Sequence, residues 1–174
     1  FWSATQLAAL LQQEAPPLDR IVVAVDPAVS AHKGSDACGI VVAGAQIQGP
    51  PQNWRAYVLA DQTVQGQGPL GWATAAINAR QRFNADRLVA EVNQGGALVE
   101  TLLRQVDPLV PFTPLHASRG KAARAEPVAA LYEQGRVFHL PGLEALEDQM
   151  CQMTPQGFQG EGSPDRLDAL VWAL

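Results

Sequence analysis

The sequence predicts an α/β domain built on a mixed five-stranded sheet with helices on its faces. Three observations predict it. Ile21-Val22-Val23-Ala24-Val25 is a continuous β-prone run, too apolar for a surface strand and suited to a central one buried on both faces. Short connections link it to two further strands, 39–44 and 55–60, and connections of that length favour antiparallel hairpins. From residue 70 onward the pattern changes to alternating helix and strand, which adds parallel strands and covering helices.

The elements follow in order. Residues 3–13 predict a helix, with Ser3 as N-cap and Leu7, Leu10 and Leu11 on one face. Ala15-Pro16-Pro17 stops it. Asp26-Pro27 ends the first strand, and a polar loop from Ser30 to Asp36 leads to the second, Gly39 to Gly44. Pro50-Pro51 marks the turn before the third strand, Arg55 to Ala60. A helix over 70–83 precedes the strand Arg87 to Glu91, and a helix over 97–106 precedes the strand 110–115. Pro111 and Pro114 place that strand at a sheet edge. A helix over 121–134 carries Pro127 near its start; residues 136–139 form a short extended piece, and 143–153 and 164–174 are helices. The glycine-rich segment 156–162 reads as a connection, either exposed or lying over a site.

Composition narrows the class. The chain of 174 residues suits one domain with a full core. With 47% apolar and 17% charged residues it is globular in character, and no apolar stretch reaches the roughly 18–20 residues that span a bilayer. The start lacks the basic and apolar regions of a secretory signal. The chain opens at Phe1-Trp2 and stops inside an apolar helical pattern at Leu174, as a piece of a longer polypeptide would. Cys38 and Cys151 are far apart, and His32, His116 and His139 are scattered, so no zinc pattern exists; two buried thiols in a reducing compartment are expected. A net charge of −5 argues against tight DNA binding over the whole surface. It is compatible with an acidic site that holds cations.

Three carboxylates stand where they are costly. Asp26 ends the most buried strand, Glu91 ends another after Leu88-Val89-Ala90, and Asp168 lies within the apolar helix Leu167 to Trp172, where aspartate is a poor helix former. Each alone has a bland explanation as a strand-end cap or a solvated helix face. Together they can converge at one edge of a mixed sheet. Mg²⁺ and Mn²⁺ take carboxylate and water oxygens, and phosphodiester hydrolysis can use two such ions about 3.5–4 Å apart. Asp26, on the central strand, is the natural bridging ligand, with Glu91 and Asp168 flanking it. Asp165 is either an auxiliary ligand or a partner of the helix dipole, since Ser163-Pro164-Asp165 reads as N-cap, N1 and N2. Asp36 and Asp61 read as turn or strand-end residues, with Asp36 a weaker candidate for the rim of the site. Arg119, Lys121 and Arg124 cluster as either a solvated helix start or phosphate contacts flanking the site, and Lys33 in the first loop is a weaker phosphate candidate. Trp54, Trp72 and Trp172 read as packing residues and not as base-stacking platforms.

These motifs, in this order, resemble the C-terminal nuclease domain of phage large terminase subunits. Val22-Val23-Ala24-Val25-Asp26-Pro27 and the segment Gly34 to Gly44 are similar to its opening, and Ala90-Glu91-Val92-Asn93-Gln94-Gly95-Gly96 to its second acidic motif. Ser163-Pro164-Asp165-Arg166-Leu167-Asp168-Ala169-Leu170 resembles the third, and His116 to Lys121 with Glu126-Pro127 the basic entry to the preceding helix. The resemblance runs from about residue 20 to 174. It implies an RNase H-like fold and two-metal cleavage of double-stranded DNA, with low sequence specificity, during genome packaging. It implies Asp26, Glu91 and Asp168 as ligands of Mg²⁺ or Mn²⁺. Asp165 has a counterpart in RuvC-type junction resolvases. It further implies residues 1–19 as a linker from an upstream packaging ATPase and 20–174 as the nuclease domain. Portal protein and small terminase subunit are the expected partners, the cytoplasm of a bacterial host the expected location, and the source a phage, prophage or gene transfer agent. No phosphate-binding Gly-x-x-x-x-Gly-Lys-Ser/Thr motif is present. The alternatives are a junction resolvase or transposase-type nuclease on the same fold and, in a different class, a non-catalytic or actin-like nucleotide-binding module. Asp26-Pro27-Ala28 lacks the glycine-rich phosphate loop the last would need.

Overall fold

The computed structural model describes residues 1–27, 37–92 and 96–174. The expected loop Ser30 to Asp36, with Lys33 and Asp36, and the segment 93–95 lie outside the described residues.

The strands are β1 (Arg20–Asp26), β2 (Ala37–Gln46), β3 (Arg55–Asp61), β4 (Val64–Gln65), β5 (Arg87–Glu91), β6 (Phe112–Leu115) and β7 (Val137–His139). They form one sheet of seven strands in the order β6-β5-β1-β2-β3-β7, with β4 paired to β2. The first three are antiparallel, as their short connections require, while β5 runs parallel to β1, β6 to β5 and β7 to β3. The sheet therefore has more than the five strands expected. The extended piece near residue 137 pairs with β3 as a further edge strand, and β4 is too short to carry an alternation signal. Proline-containing β6 lies at the opposite edge, as expected.

Alternation along each strand divides the side chains between two cores. Val23, Val25, Ile40, Val42, Leu88 and Ala90 meet Trp72, Ile77, Val99 and Leu103 of α2 (Pro69–Arg82) and α3 (Gly96–Val106). On the other face, Val41 and Val58 meet α4 (Lys121–Glu133), α5 (Glu144–Cys151) and α6 (Asp165–Ala173) through Val128, Tyr132, Leu146, Met150, Leu167 and Leu170. The result is three layers with the sheet in the middle. Pro127 lies inside α4, in its second turn, where the helix continues without that residue's N–H.

The N-terminal helix α1 (Ala4–Ala9) is capped by Ser3, whose hydroxyl accepts from Gln6 N at 3.1 Å. It is shorter than expected because Leu11 leaves it to bridge His139 at the edge of β7. Trp2 and Leu7 are buried in the second core. Segment 156–162, expected as a connection either exposed or lying over a site, begins inside a hairpin of β8 (Met153–Thr154) and β9 (Gly157–Phe158). Cys38 is buried as expected, but Cys151 is exposed on α5. No helix among the described residues is long and apolar enough to cross a membrane.

Candidate metal centre

Two strand ends and one helix start build the site. β1 and β5 are parallel neighbours, with Val25 opposite Ala90, so Asp26 and Glu91 finish side by side at the carboxyl edge of the sheet. That edge is where open α/β sheets bind ligands. Val25 and Ala90 face the first core, so by alternation Asp26 and Glu91 belong to the face covered by α6.

The approach of α6 depends on a glycine. Gly39 lies opposite Asp26 in the β1–β2 register. A Cβ there would lie 2.0 Å from the Asp165 carbonyl oxygen and 2.6 Å from its carbon. Only a residue without a side chain lets the first turn of α6 rest on β2 so closely. The expectation that Ser163 caps this helix is corrected: Pro164 holds the N-cap position and provides no side-chain bond. Gln149 of α5 does that work instead, its Oε1 accepting from Arg166 N at 3.1 Å and Leu167 N at 3.2 Å. Arg166 then reaches Asp61 at the end of β3, with Nε 2.8 Å from Oδ2. Asp61 is thus the strand-end residue expected, with an added role as an anchor for α6.

So positioned, Asp165 and Asp168 meet Asp26, each offering a carboxylate oxygen within 4.8 Å of the others. Asp168 is buried, at 5% exposure, and the other two are half-buried. Burial, followed by the charges of Asp168 and Asp165, pushes the Asp26 carboxyl up to about 8. Burial also raises Asp165, against hydrogen bonds from Ser163 and Asp26, and raises Asp168, against the ammonium of Lys121. Lys121 Nζ lies 2.5 Å from Asp168 Oδ2 and 3.1 Å from Ser163 Oγ.

Glu91 stands slightly apart. It is not one of the three grouped acids, and its Oε2 accepts from Trp172 Nε1 at 3.2 Å and pairs with Arg124 Nη1 at 3.6 Å. Its charge still raises both Asp26 and Asp168. Arg119 is exposed just before α4, whereas Arg124 is drawn inward over the Trp172 ring, 4.8 Å from its centroid. Trp72 is buried in the first core, and Trp54 is partly exposed with its N–H on the Gly49 carbonyl. Gly39, Gln149 and Trp172 are the site residues that sequence reasoning does not assign. A glycine inside an apolar strand is the available signal for the first; nothing local marks the other two.

The donor set fits a hard divalent cation. It consists of oxygens only, they lie within mutual reach, and three carboxyl groups share a single ammonium, that of Lys121, so a cation would offset their negative charge.

The comparisons with known proteins bear on the fold that carries this site. The sequence profile of the Terminase RNaseH-like domain matches residues 23–174. The chain therefore belongs to the Terminase RNaseH-like domain family, and its fold is RNase H-like. A comparison with curated protein sequences finds no match. Among solved structures, the large terminase nuclease of thermophilic phage G20c superposes with a TM-score of 0.66 at 16% identity, over 97% of this chain and 95% of that one. The large terminase nuclease domain of bacteriophage SPP1 with bound Mn gives 0.58 at 15% identity, over 94% of each chain. The large terminase of a second thermophilic bacteriophage gives 0.65 at 10% identity, over 93% of this chain and 41% of that one.

Proposed function

We propose that this domain is a divalent-metal-dependent endonuclease that cuts double-stranded DNA with low sequence specificity during genome packaging. The observation that carries the reading is the meeting of Asp26, Asp165 and Asp168 within 4.8 Å at the carboxyl edge of an RNase H-like sheet. Asp26, on the central strand, would be the ligand shared by the ions, with Asp165, Asp168 and Glu91 holding them beside it. Bound there, Mg²⁺ or Mn²⁺ supplies Lewis acidity and a water of low pKa at neutral pH. The SPP1 nuclease domain, solved with bound Mn, supports that choice.

The chain's own residues do the rest. Lys121 neutralises Asp168 in the metal-free protein and is placed to contact a phosphate once cations replace it. Arg119 extends the basic flank of the site, and Lys33, outside the described residues, is a further proposed phosphate contact. The overall negative charge implies weak DNA affinity for the domain alone, so a neighbouring unit must deliver the duplex. Residues 1–19 would join residues 20–174 to an upstream packaging ATPase, consistent with coverage of only 41% of the longer thermophilic-phage large terminase. Portal protein and small terminase subunit are the partners of that assembly, in the host cytoplasm.

Plasmid cleavage in Mn²⁺ tests the reading. The wild-type domain nicks and linearises supercoiled DNA, and Asp26→Asn does not while retaining its circular dichroism spectrum. Full cutting by that variant overturns the assignment.

A further inference from the structure

The geometry points to Trp172 and Arg124 as positioning residues that fix the Glu91 carboxylate for cation binding. The inference rests on the reading of Glu91 as a ligand. Glu91 ends β5, and among the described residues its carboxylate is held by two that are distant in sequence. Trp172 Nε1 donates to Oε2 at 3.2 Å, and Arg124 Nη1 lies 3.6 Å from the same oxygen. The Trp172 hydrogen bond and the Arg124 ion pair fall on one oxygen, which orients the carboxylate and leaves Oε1 for an ion.

The two holders also support each other. The Arg124 guanidinium lies over the indole of Trp172, 4.8 Å from the centroid, a contact favourable in itself. The Arg124 side chain is only 15% exposed, and its Nε is buried without a hydrogen-bond partner among the described residues. A solvated phosphate-seeking arginine would not accept that cost. One used to hold a carboxylate would, because ligands of metal ions are themselves fixed by hydrogen bonds from an outer layer. Trp172 comes from α6, the helix that brings Asp165 and Asp168, and Arg124 comes from α4, which brings Lys121. The same two helices thus act on all four acids.

The test is a double-mutant cycle on Mn²⁺ affinity, measured by titration calorimetry on the intact domain. Trp172→Phe keeps the ring under Arg124 but removes the N–H, and Mn²⁺ binding weakens by about 10–100-fold. Glu91→Gln weakens it as well, and adding Trp172→Phe to that variant changes nothing further. If Trp172→Phe melts at a much lower temperature, Arg124→Gln takes its place in the cycle with the same expected pattern. Wild-type Mn²⁺ affinity in Trp172→Phe beside a weakened Glu91→Gln overturns this inference alone, as does an additive double mutant. Unchanged affinity in Glu91→Gln removes the ligand role of Glu91 and the inference together, leaving the three aspartates untouched.

Discussion

Two polar groups sit at the ends of strands in this sheet, and they are held in opposite ways. Asp26 ends β1 among other acids, with burial and like charges driving its carboxyl up to about 8. His139 ends β7 with no exposure at all, and burial holds its imidazole down to about 4. His139 Nε2 lies 2.6 Å from Tyr132 Oη, and its backbone bonds Leu10 and Gln12 of the N-terminal segment. Glu147 is at 3.7 Å from Nδ1, too far for a hydrogen bond, and that nitrogen has no other partner among the described residues. A neutral ring with its proton on Nε2 leaves only a lone pair there, which burial tolerates far better than a charge. The imidazole is therefore a neutral structural group closed within the protein. The acid pocket sets three carboxyl groups against the single ammonium of Lys121, and a cation would relieve their repulsion. A buried polar residue that the fold can keep neutral points to stability; one crowded by like charges points to a ligand.

The largest effect that tests this contrast is on catalysis. Asp26→Asn lowers Mn²⁺-dependent DNA cutting by more than about a hundredfold, yet its metal-free melting temperature near pH 7 stays level or rises, because a carboxyl that the fold forces to keep its proton at that pH is gone. A sharp drop in stability would show that Asp26 is a structural residue like His139.

Gly39→Ala is next. Its Cβ has no room beside the Asp165 carbonyl, so α6 must shift. The expected outcome is a loss of about 1–3 kcal/mol in chemical denaturation, with Mn²⁺ affinity falling together with it. Retained affinity would mean that the three aspartates do not depend on that contact.

The pH dependence separates the regions by sign. For Asp26 the folded value lies above the unfolded 3.8, so its contribution to metal-free stability is lost as pH rises towards about 8. For His139 the folded value lies below 6.5, so its contribution is present above 6.5 and lost as pH falls towards about 4. Melting curves should show Asp26→Asn flattening the upper limb only. Mn²⁺ affinity should rise by up to about tenfold per pH unit below pH 8, as a proton leaves for each ion bound.

The smallest effect on function belongs to His139→Ala. It removes a fully buried ring and orphans the Tyr132 hydroxyl, costing about 3 kcal/mol. Cutting per folded molecule is unchanged. A proportionate loss of activity would erase the distinction between the two regions.

Legibility in the sequence follows the same division. The apolar run before Asp26 and the one before Glu91 make both acids conspicuous, because a charge at the end of a buried strand needs a reason. Asp168 is legible as an aspartate inside an apolar helix. Asp165 stays ambiguous, since an acid at a helix start already has a reason in the dipole, and its proximity to Asp26 depends on the fit of α6 against Gly39. The Glu91–Trp172–Arg124 contact joins residues 91, 124 and 172, and no local pattern encodes such a meeting. His139 passes as one of three scattered histidines because burial of a polar residue is a property of the packed layers. The β8–β9 hairpin is hidden by strands of two residues, too short for period-2 alternation to register.

A crystal soaked in Mn²⁺ tests the central claim most directly, through the anomalous signal of the metal. The expected result is density touching carboxylate oxygens of Asp26, Asp165 and Asp168, with Lys121 withdrawn from Asp168. Mn²⁺ bound elsewhere, or a pocket that stays closed around Lys121 at saturating metal, would contradict it.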